Sequence, residues 1–419
     1  MTTVENNPYE GNRRYHDLYP EMGKGEVSIE PYYSEEYFQL EREYIFKKCW
    51  VNACRIEQIP NAGDFFVKEL PVCDTSVIVV RRKDGGVNAF HNVCSHRGNK
   101  MAYEETGNVR SFYCRFHGWT YDLEGDLVVV PDEEDYFDLD KSCLGLTPVS
   151  VGNWQGFIFV NVDPEPKETL SDYLGDLAEG LDGYPFEETS GQVFTFETVV
   201  NANWKLVKDA FQEVCHTPYQ HNRSLPDAYI SEANPYTRFV DMAVVGRHAR
   251  ASLFGNMGHQ PSPLAMHAYS HGATIASASM IDGEEVSAAL APPGINPTAS
   301  PDWSFELQVF FPSFFLAVTH GSYFTHQFIP LAVDKTHWFS TTCYPKAKTA
   351  AERFSQEYSR AMFRDIMNED GRQIEETQSM MKSGANKSFI IKDEELFIRQ
   401  GLWQAQQMII ENGGGLNND

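Results

Sequence analysis

With 419 residues and a formal net charge of −25, the chain is long enough for two domains with sizeable cores and far too acidic to hold nucleic-acid phosphates. No apolar run is long enough to span a bilayer, and the opening Met-Thr-Thr-Val-Glu-Asn-Asn lacks the basic and apolar character of a signal peptide. Beyond Cys94 and Cys114, the cysteines at 49, 54, 73, 143, 215 and 343 show no paired framework, so reduced thiols and a cytoplasmic protein are expected.

In chain order, residues 1–48 read as helical pieces, one of them from Ser34 to Lys48, expected to cover the larger domain. From Trp50 to Val162 short β runs such as Ser76 to Arg81 and Gly156 to Asn161 are broken by Gly, Asp and Pro, which predicts an all-β domain over 49–164. Within it, the acidic excursion Pro131 to Tyr136 reads as an exposed loop or subunit contact. After Pro164-Glu-Pro166 a second domain, 165–419, begins. Thr195 to Asn201 reads as a strand feeding a helix from Asn203 to His221; Phe305 to Val318, Ser322 to Pro330 and His337 to Tyr344 read as an antiparallel meander. Ala350 to Lys382 reads as one long helix, and the strand-then-helix order makes the fold class α+β. The stretch Ala251 to His271 and the Gly/Ala/Ser run after it form a long apolar insert of the kind that becomes a lid.

The chemistry starts in the first domain. Cys94-x-His96 and Cys114-x-x-His117 supply two thiolates and two imidazoles, the mixed ligand set of a Rieske 2Fe-2S centre. Zinc accepts the same donors. The surroundings favour the cluster: each Cys precedes its own His, and a Gly follows at 98 and 118, permitting tight loops whose backbone N–H groups turn toward cluster sulfurs. Cys94 and Cys114 would hold one iron, His96 and His117 the other.

The second domain offers a place to use electrons. His216 and His221 lie five positions apart, roughly 140° around a regular helix, so a regular helix cannot chelate with both. Pro218 between them is expected to break or bulge the helix and swing His221 toward His216. Two His leave a first-row metal short of a carboxylate, and the acidic run from Asp365 to Glu376 is the best source. Asp370 is taken as that ligand, with Asp365 as the alternative.

Through these three ordered motifs the chain resembles the Rieske non-heme iron oxygenases, specifically their large catalytic α subunit. The resemblance covers nearly the whole length, on Cys-x-His-Arg-Gly, Cys-x-x-His-Gly-Trp, Asn-Trp-Lys leading into Glu-x-x-His-x-x-x-x-His, and Glu-Asp before a Glu and a Gln. It implies a mononuclear Fe(II) on His216, His221 and Asp370, and a curved antiparallel sheet gripping a long helix, a START-like arrangement. In the family a carboxylate three residues before the first His links the two metal centres across a subunit boundary; here it is Glu213, where many members carry Asp. A carboxylate there can accept from a cluster His and from an iron His, fixing both tautomers. Asp209, one turn earlier, is expected behind the iron ligands.

The resemblance also implies electrons from NADH or NADPH through a ferredoxin and/or flavin reductase, and a homotrimer or a hexamer with a small β subunit. Arg97, Lys100, Arg110 and Arg115 around the cluster loops would steer an acidic donor or simply decorate the surface. Phe211, Phe254, Phe310 and Phe315, with Phe311 and Phe314, are candidates for an aromatic pocket. His259, His267 and His271 are read as satisfied or solvated rather than ligating. The implied reaction is cis-dihydroxylation of an apolar aromatic or polycyclic compound; the alternative is demethylation of a methoxy-aromatic or quaternary ammonium compound, which would need an aromatic cage with a nearby carboxylate.

Overall fold

The computed structural model describes residues 15–225, 227–271, 292–319 and 321–415. It divides into two compact units, Glu41–Tyr173, and Met1–Leu40 together with Leu174–Asp419.

The smaller unit is all β. Strands β1 (Val51–Arg55), β2 (Asp64–Leu70), β3 (Thr75–Arg81), β4 (Val87–His91), β5 (Thr106–Asn108), β6 (Phe112–Tyr113), β7 (Thr120–Tyr121), β8 (Leu127–Val129), β9 (Ser150–Trp154) and β10 (Phe157–Asn161) form three antiparallel sheets in the orders β4-β3-β2-β5, β6-β7-β8 and β9-β10-β1. Val77 to Val80 of β3 are buried on both faces, the mark of a strand covered above and below. One apolar cluster joins Phe65, Val67, Ile78, Val80 and Phe90 to Cys94, Cys114, Trp119 and Tyr121, so the two Cys-His boxes hang from the core itself.

The larger unit is built on a seven-stranded antiparallel sheet ordered β11-β17-β16-β15-β14-β13-β12. Its members are β11 (Gln192–Val200), β12 (Asp241–Val245), β13 (His248–Phe254), β14 (Trp303–Phe310), β15 (Phe314–Val318), β16 (Tyr323–Ala332) and β17 (Lys335–Tyr344). The meander expected between Phe305 and Tyr344 is β14 to β17. The helices of the unit include α1 (Trp204–Asp209), α2 (Thr217–Gln220), α3 (Pro263–Tyr269), α4 (Ala350–Met381) and α5 (Leu396–Glu411). The long helix α4 buries Phe363, Ile366, Met367, Asp370 and Ile374, spaced as one helical face. Its apolar members share a core with Phe305, Leu307, Phe324, Phe328 and Trp338 of the sheet. The fold is α+β, with the sheet holding the long helix.

Two expectations are corrected. The stretch from Ala251 does not begin a lid: Ala251 to Phe254 complete the interior strand β13, hydrogen-bonded on both sides, and α3 packs on α4. The Ser262-Pro263 pair starts α3 in the usual way, with Ser262 Oγ accepting from Ala265 N–H at 3.2 Å and Pro263 in the first turn, where its missing N–H costs nothing. The Gly/Ala/Ser run after His271 lies outside the described residues. Second, Asn203 to His221 is two short helices separated by residues 210–216, not one.

Strand β14 is buried on both faces, with Phe305, Leu307 and Val309 on one and Ser304, Glu306 and Gln308 on the other. Glu306, with no exposed surface, accepts from Ser252 Oγ at 2.8 Å, Trp303 Nε1 at 3.1 Å and Asn296 N–H at 3.1 Å, with Arg250 at 3.4 Å. Burial pushes its carboxyl up to about 7 although these partners pull the other way. A carboxyl raised in the fold stabilises it fully below the unfolded value near 4.5, and that contribution is lost as pH rises to about 7. Glu306→Gln is therefore expected to flatten the stability profile between pH 5 and pH 8 by on the order of 3 kcal/mol, measured by denaturant unfolding. A variant whose profile stays parallel to the parent overturns this.

Candidate active site and metal centres

The two cluster boxes fold into matching loops. Gly98 N–H donates to Cys94 O and Gly118 N–H to Cys114 O, each at 2.9 Å, and the loops close with Cys94 N–H to Asn99 O and Cys114 N–H to Trp119 O, each at 2.8 Å. Both glycines sit at positive φ, +74° and +78°, which a side chain would strain, and at Gly118 a Cβ would also meet Pro131 at 2.8 Å. Buried Asn92 pins the first loop by accepting from Met101 and Ala102 N–H.

Between the loops, the His96 and His117 rings lie 4.6 Å apart, and His96 stacks on Trp119 at 4.8 Å and 9°. Tyr136, at the end of the acidic excursion, packs its ring against both His96 and Trp119, while residues from Asp132 to Asp135 stay largely at the surface. Tyr121 accepts from Ser95 N–H at 3.1 Å, which leaves its hydroxyl proton for Cys94 Sγ at 3.3 Å. Burial pushes the Cys94 thiol up; at Cys114 burial is outweighed by the N–H groups of Phe116 and His117, which hold its thiol below the ordinary value. Two of the four basic residues lie over exposed aromatic rings, Arg97 over Phe116 and Arg115 over Tyr103, and Lys100 pairs with Glu69 at 2.6 Å.

In the larger unit, helix α2 is a single turn with His216 as its N-cap and His221 as its C-cap. Pro218 begins this helix instead of breaking one, a position where it removes no needed hydrogen bond. The expected break between the two His is absent: the backbone from His216 to His221 is helical, with Gln220 N–H donating to His216 O at 2.9 Å and His221 N–H to Thr217 O at 3.0 Å, so the side chains converge from the two ends of one helical turn. Their Nε2 atoms are 3.2 Å apart, and Asp370 Oδ1 is 3.2 Å from His221 Nε2 and 3.7 Å from His216 Nε2. Three donors bound to one first-row metal at right angles are separated by roughly 3 Å, given metal–nitrogen bonds of about 2.1 Å. The two separations from His221 Nε2 fall near that value and the third, at 3.7 Å, is wider, so the three donors would share one side of a metal and leave the other side open. Asp370 supplies its carboxylate from the buried apolar face of α4, where an unpaired charge is costly. Asp365, the alternative, is exposed and paired with Arg364.

Each imidazole is oriented from behind. His216 Nδ1 meets Glu213 Oε1 at 2.5 Å, and Glu213 Oε2 accepts from Cys215 N–H at 2.6 Å. His221 Nδ1 meets Glu369 Oε2 at 2.8 Å, which Ser224 Oγ also holds at 2.7 Å. Gln220 donates to Asp370 at 2.6 Å. Metal-bound His commonly uses its second nitrogen in this way. Glu369 and Gln220 had been passed over; each is adjacent in sequence to a ligand, the one signal that pointed to them. Asp209 does not reach the ligands: it is buried and accepts from Tyr32 at 2.6 Å.

The three donors stand at a cavity of about 110 Å³, several times the space one water needs. Its walls include Phe211, Leu225, Leu253, Phe305, Leu307, Phe324, Phe363 and Ile366. Of the predicted aromatics only Phe211 lines it. Phe254 follows Leu253 on its strand, faces the other side and packs with Val240; Phe310 has the opposite parity to Phe305 and Leu307 and packs edge-on against His248 and at a tilt against Phe314. Phe315 pairs with Val309, one rung past Leu307, and fills core against Phe328. Phe311 and Phe314 are also buried away from the cavity. His259 pairs with Asp227, and His267 meets His271 edge to face, all apart from the triad.

Residues 186–406 match the ring hydroxylating alpha subunit (catalytic domain) model, and residues 49–145 match the Rieske [2Fe-2S] domain. The chain belongs to the ring-hydroxylating α-subunit family.

Among relatives of this family member, the large oxygenase component of a naphthalene 1,2-dioxygenase system from Pseudomonas aeruginosa is 36% identical over 199 residues, 46% of this chain and 43% of that protein. The large subunit of an anthranilate 1,2-dioxygenase from Acinetobacter baylyi is 32% identical over 214 residues, 49% of this chain and 44% of its own length. The chain thus spans under half the length of the curated relatives it matches. A solved naphthalene 1,2-dioxygenase from Rhodococcus sp. shares the fold with a TM-score of 0.72 at 22% identity, covering 99% of this chain and 100% of that one. A quaternary ammonium Rieske monooxygenase shares it with a TM-score of 0.72 at 19% identity, covering 93% and 98%.

The residues present fit both metal groups of the family. His96 Nδ1 is buried and meets no hydrogen-bond partner among the described residues, an orphan nitrogen that coordination would satisfy. In the catalytic domain, His216, His221 and Asp370 are the one group of three or more potential ligands found together among the described residues.

Proposed function

We propose that this protein is the terminal oxygenase component that uses O2, and electrons passed from NADH or NADPH by a ferredoxin and/or flavin reductase, to cis-dihydroxylate an apolar aromatic or polycyclic substrate. The observation that carries the reading is the three-donor face of His216, His221 and Asp370 opening onto an apolar-walled cavity. Iron held there, supplied with electrons by the Rieske cluster, provides the redox chemistry that oxygen activation needs.

The protein's own groups prepare that site. Glu213 and Glu369 accept hydrogen bonds from Nδ1–H of His216 and His221, so both Nε2 lone pairs face the metal position. Gln220 holds Asp370 in place by one carboxylate oxygen. Phe211, Phe305, Phe324 and Phe363 pack a planar ring and exclude water from the open metal face. In the smaller domain, Cys94, His96, Cys114 and His117 would hold the cluster, with Tyr121 donating to Cys94 Sγ. We assign Glu213 the carboxylate that connects the two centres across the subunit boundary of a homotrimer, and the Arg97 and Arg115 surface the approach of an acidic electron donor. The six cysteines outside the cluster pair form no disulfide and suit a reducing cytoplasm, and no helix among the described residues is long and apolar enough to cross a membrane.

Demethylation of a quaternary ammonium compound would need a carboxylate free to face the cation. The cavity's two carboxylates, Glu213 and Asp370, are both engaged with the histidines, which favours the neutral arene. The test is single turnover of iron-loaded, reduced protein with O2 and a panel of arenes, methoxy-arenes and quaternary amines, read by mass spectrometry. A gain of two oxygens and two hydrogens is expected; formaldehyde or a one-oxygen gain would move the protein to the monooxygenases.

A further inference from the structure

Among the polar side chains of the cavity wall that hold no metal, which include Thr217 and Tyr229, one is an imidazole. His326, on β16 between Phe324 and Phe328, is buried and lines the same cavity as His216 and His221. Its ring is held in place by Phe211 at 4.6 Å, by Phe363 at 5.7 Å in a near-parallel stack, and by the indole of Trp338. The Trp338 Nε1–H donates to His326 Nδ1 at 3.2 Å. An indole nitrogen can only donate, so Nδ1 is the acceptor and the ring carries its proton on Nε2. Burial pushes the imidazole down to about 3, so it is neutral at physiological pH and in this one tautomer. Among the described residues no group accepts from Nε2–H. An apolar residue would fill this wall without placing a donor in it, and this N–H is left for whatever occupies the cavity to accept.

We propose that His326 Nε2–H is a substrate-orienting donor, and that the aromatic substrate carries a hydrogen-bond acceptor, such as a carbonyl, carboxylate or nitro oxygen, on the side facing β16. The inference rests on the aromatic-oxygenase reading of this cavity and narrows its substrate class from bare hydrocarbons to substituted arenes. Sites that hydrogen-bond their ligand discriminate strongly against the analogue lacking the partner atom, because their own polar group is then left unpaired.

The test uses iron-loaded full-length protein without O2 and a matched pair of probes, indane and 1-indanone, which share a skeleton and differ by one carbonyl. Calorimetry is expected to show the ketone binding about tenfold more tightly, the size of one net hydrogen bond. Isotope-difference infrared spectra of 1-indanone labelled at the carbonyl should show its stretch at lower frequency than in hydrocarbon solvent. In His326→Phe both the preference and the shift should vanish, and His326→Gln, which keeps an N–H donor, should restore part of each. If a variant fails to fold, the parent protein's affinity ratio and carbonyl frequency decide alone. Equal affinities with an unshifted carbonyl, or a shift that survives in His326→Phe, overturn the assignment while leaving the aromatic cavity in place. Binding of neither probe instead sinks the aromatic-cavity reading beneath it.

Discussion

Replacing His221 with Ala is expected to abolish product formation, by roughly a thousandfold or more, while the visible and EPR spectra of the cluster stay unchanged. His221 Nε2 is the donor closest to both others, 3.2 Å from His216 Nε2 and 3.2 Å from Asp370 Oδ1. Without it two donors remain, too few to fix a metal with an open face, and Glu369 loses the proton it accepts. The backbone bond from Leu225 N–H to His221 O does not depend on the side chain, so the loop after α2 should keep its course. The two arms of the measurement are metal content of the catalytic domain and single-turnover yield. Wild-type yield with intact cluster spectra would remove the triad from the mechanism.

Glu213→Ala is expected to lower turnover by about 10- to 100-fold with both metal centres still loaded, the usual cost of removing a carboxylate behind a metal-bound His. Glu213 does two things at once in this chain: it orients His216 through Nδ1, and it ties the turn at Cys215 through backbone N–H. Glu213→Gln keeps an acceptor oxygen of the same length but no charge, so it should lie between the parent and Ala. If both variants turn over like the parent, Glu213 is an ordinary buried side chain and the connection between the centres runs elsewhere. Iron content is measured alongside, because a drop in metal alone would mimic a drop in rate.

The chemistry of both sites was legible because it is carried by residue type and short spacing. The two Cys-His boxes end in Gly98 and Gly118, whose positive φ the loops require. Asp370 could be picked from its acidic neighbours by phase alone, since it falls on the stripe of Phe363, Ile366, Met367 and Ile374, whereas Asp365 does not. Pro218 was misleading: it sits in the first turn of a helix that runs from one histidine to the other, and the chain departs from helix only before His216.

What stayed hidden depends on which face of which strand meets the cavity. Phe254, Phe310 and Phe315 are as aromatic as Phe305, Phe324 and Phe363, but a strand shows alternate residues to opposite sides. The sheet's register and the seating of α4 decide which side is the cavity. Likewise nothing local marks Trp338 as the residue that sets the tautomer of His326, twelve positions away across a hairpin. The sequence by itself therefore determined the candidate donor sets, the α+β class and the order of the domains, because these follow from short-range spacing and periodicity. Only the tertiary structure decided the carboxylate behind His221, the true cavity wall and the imidazole donor in it, because these arise where distant segments pack together.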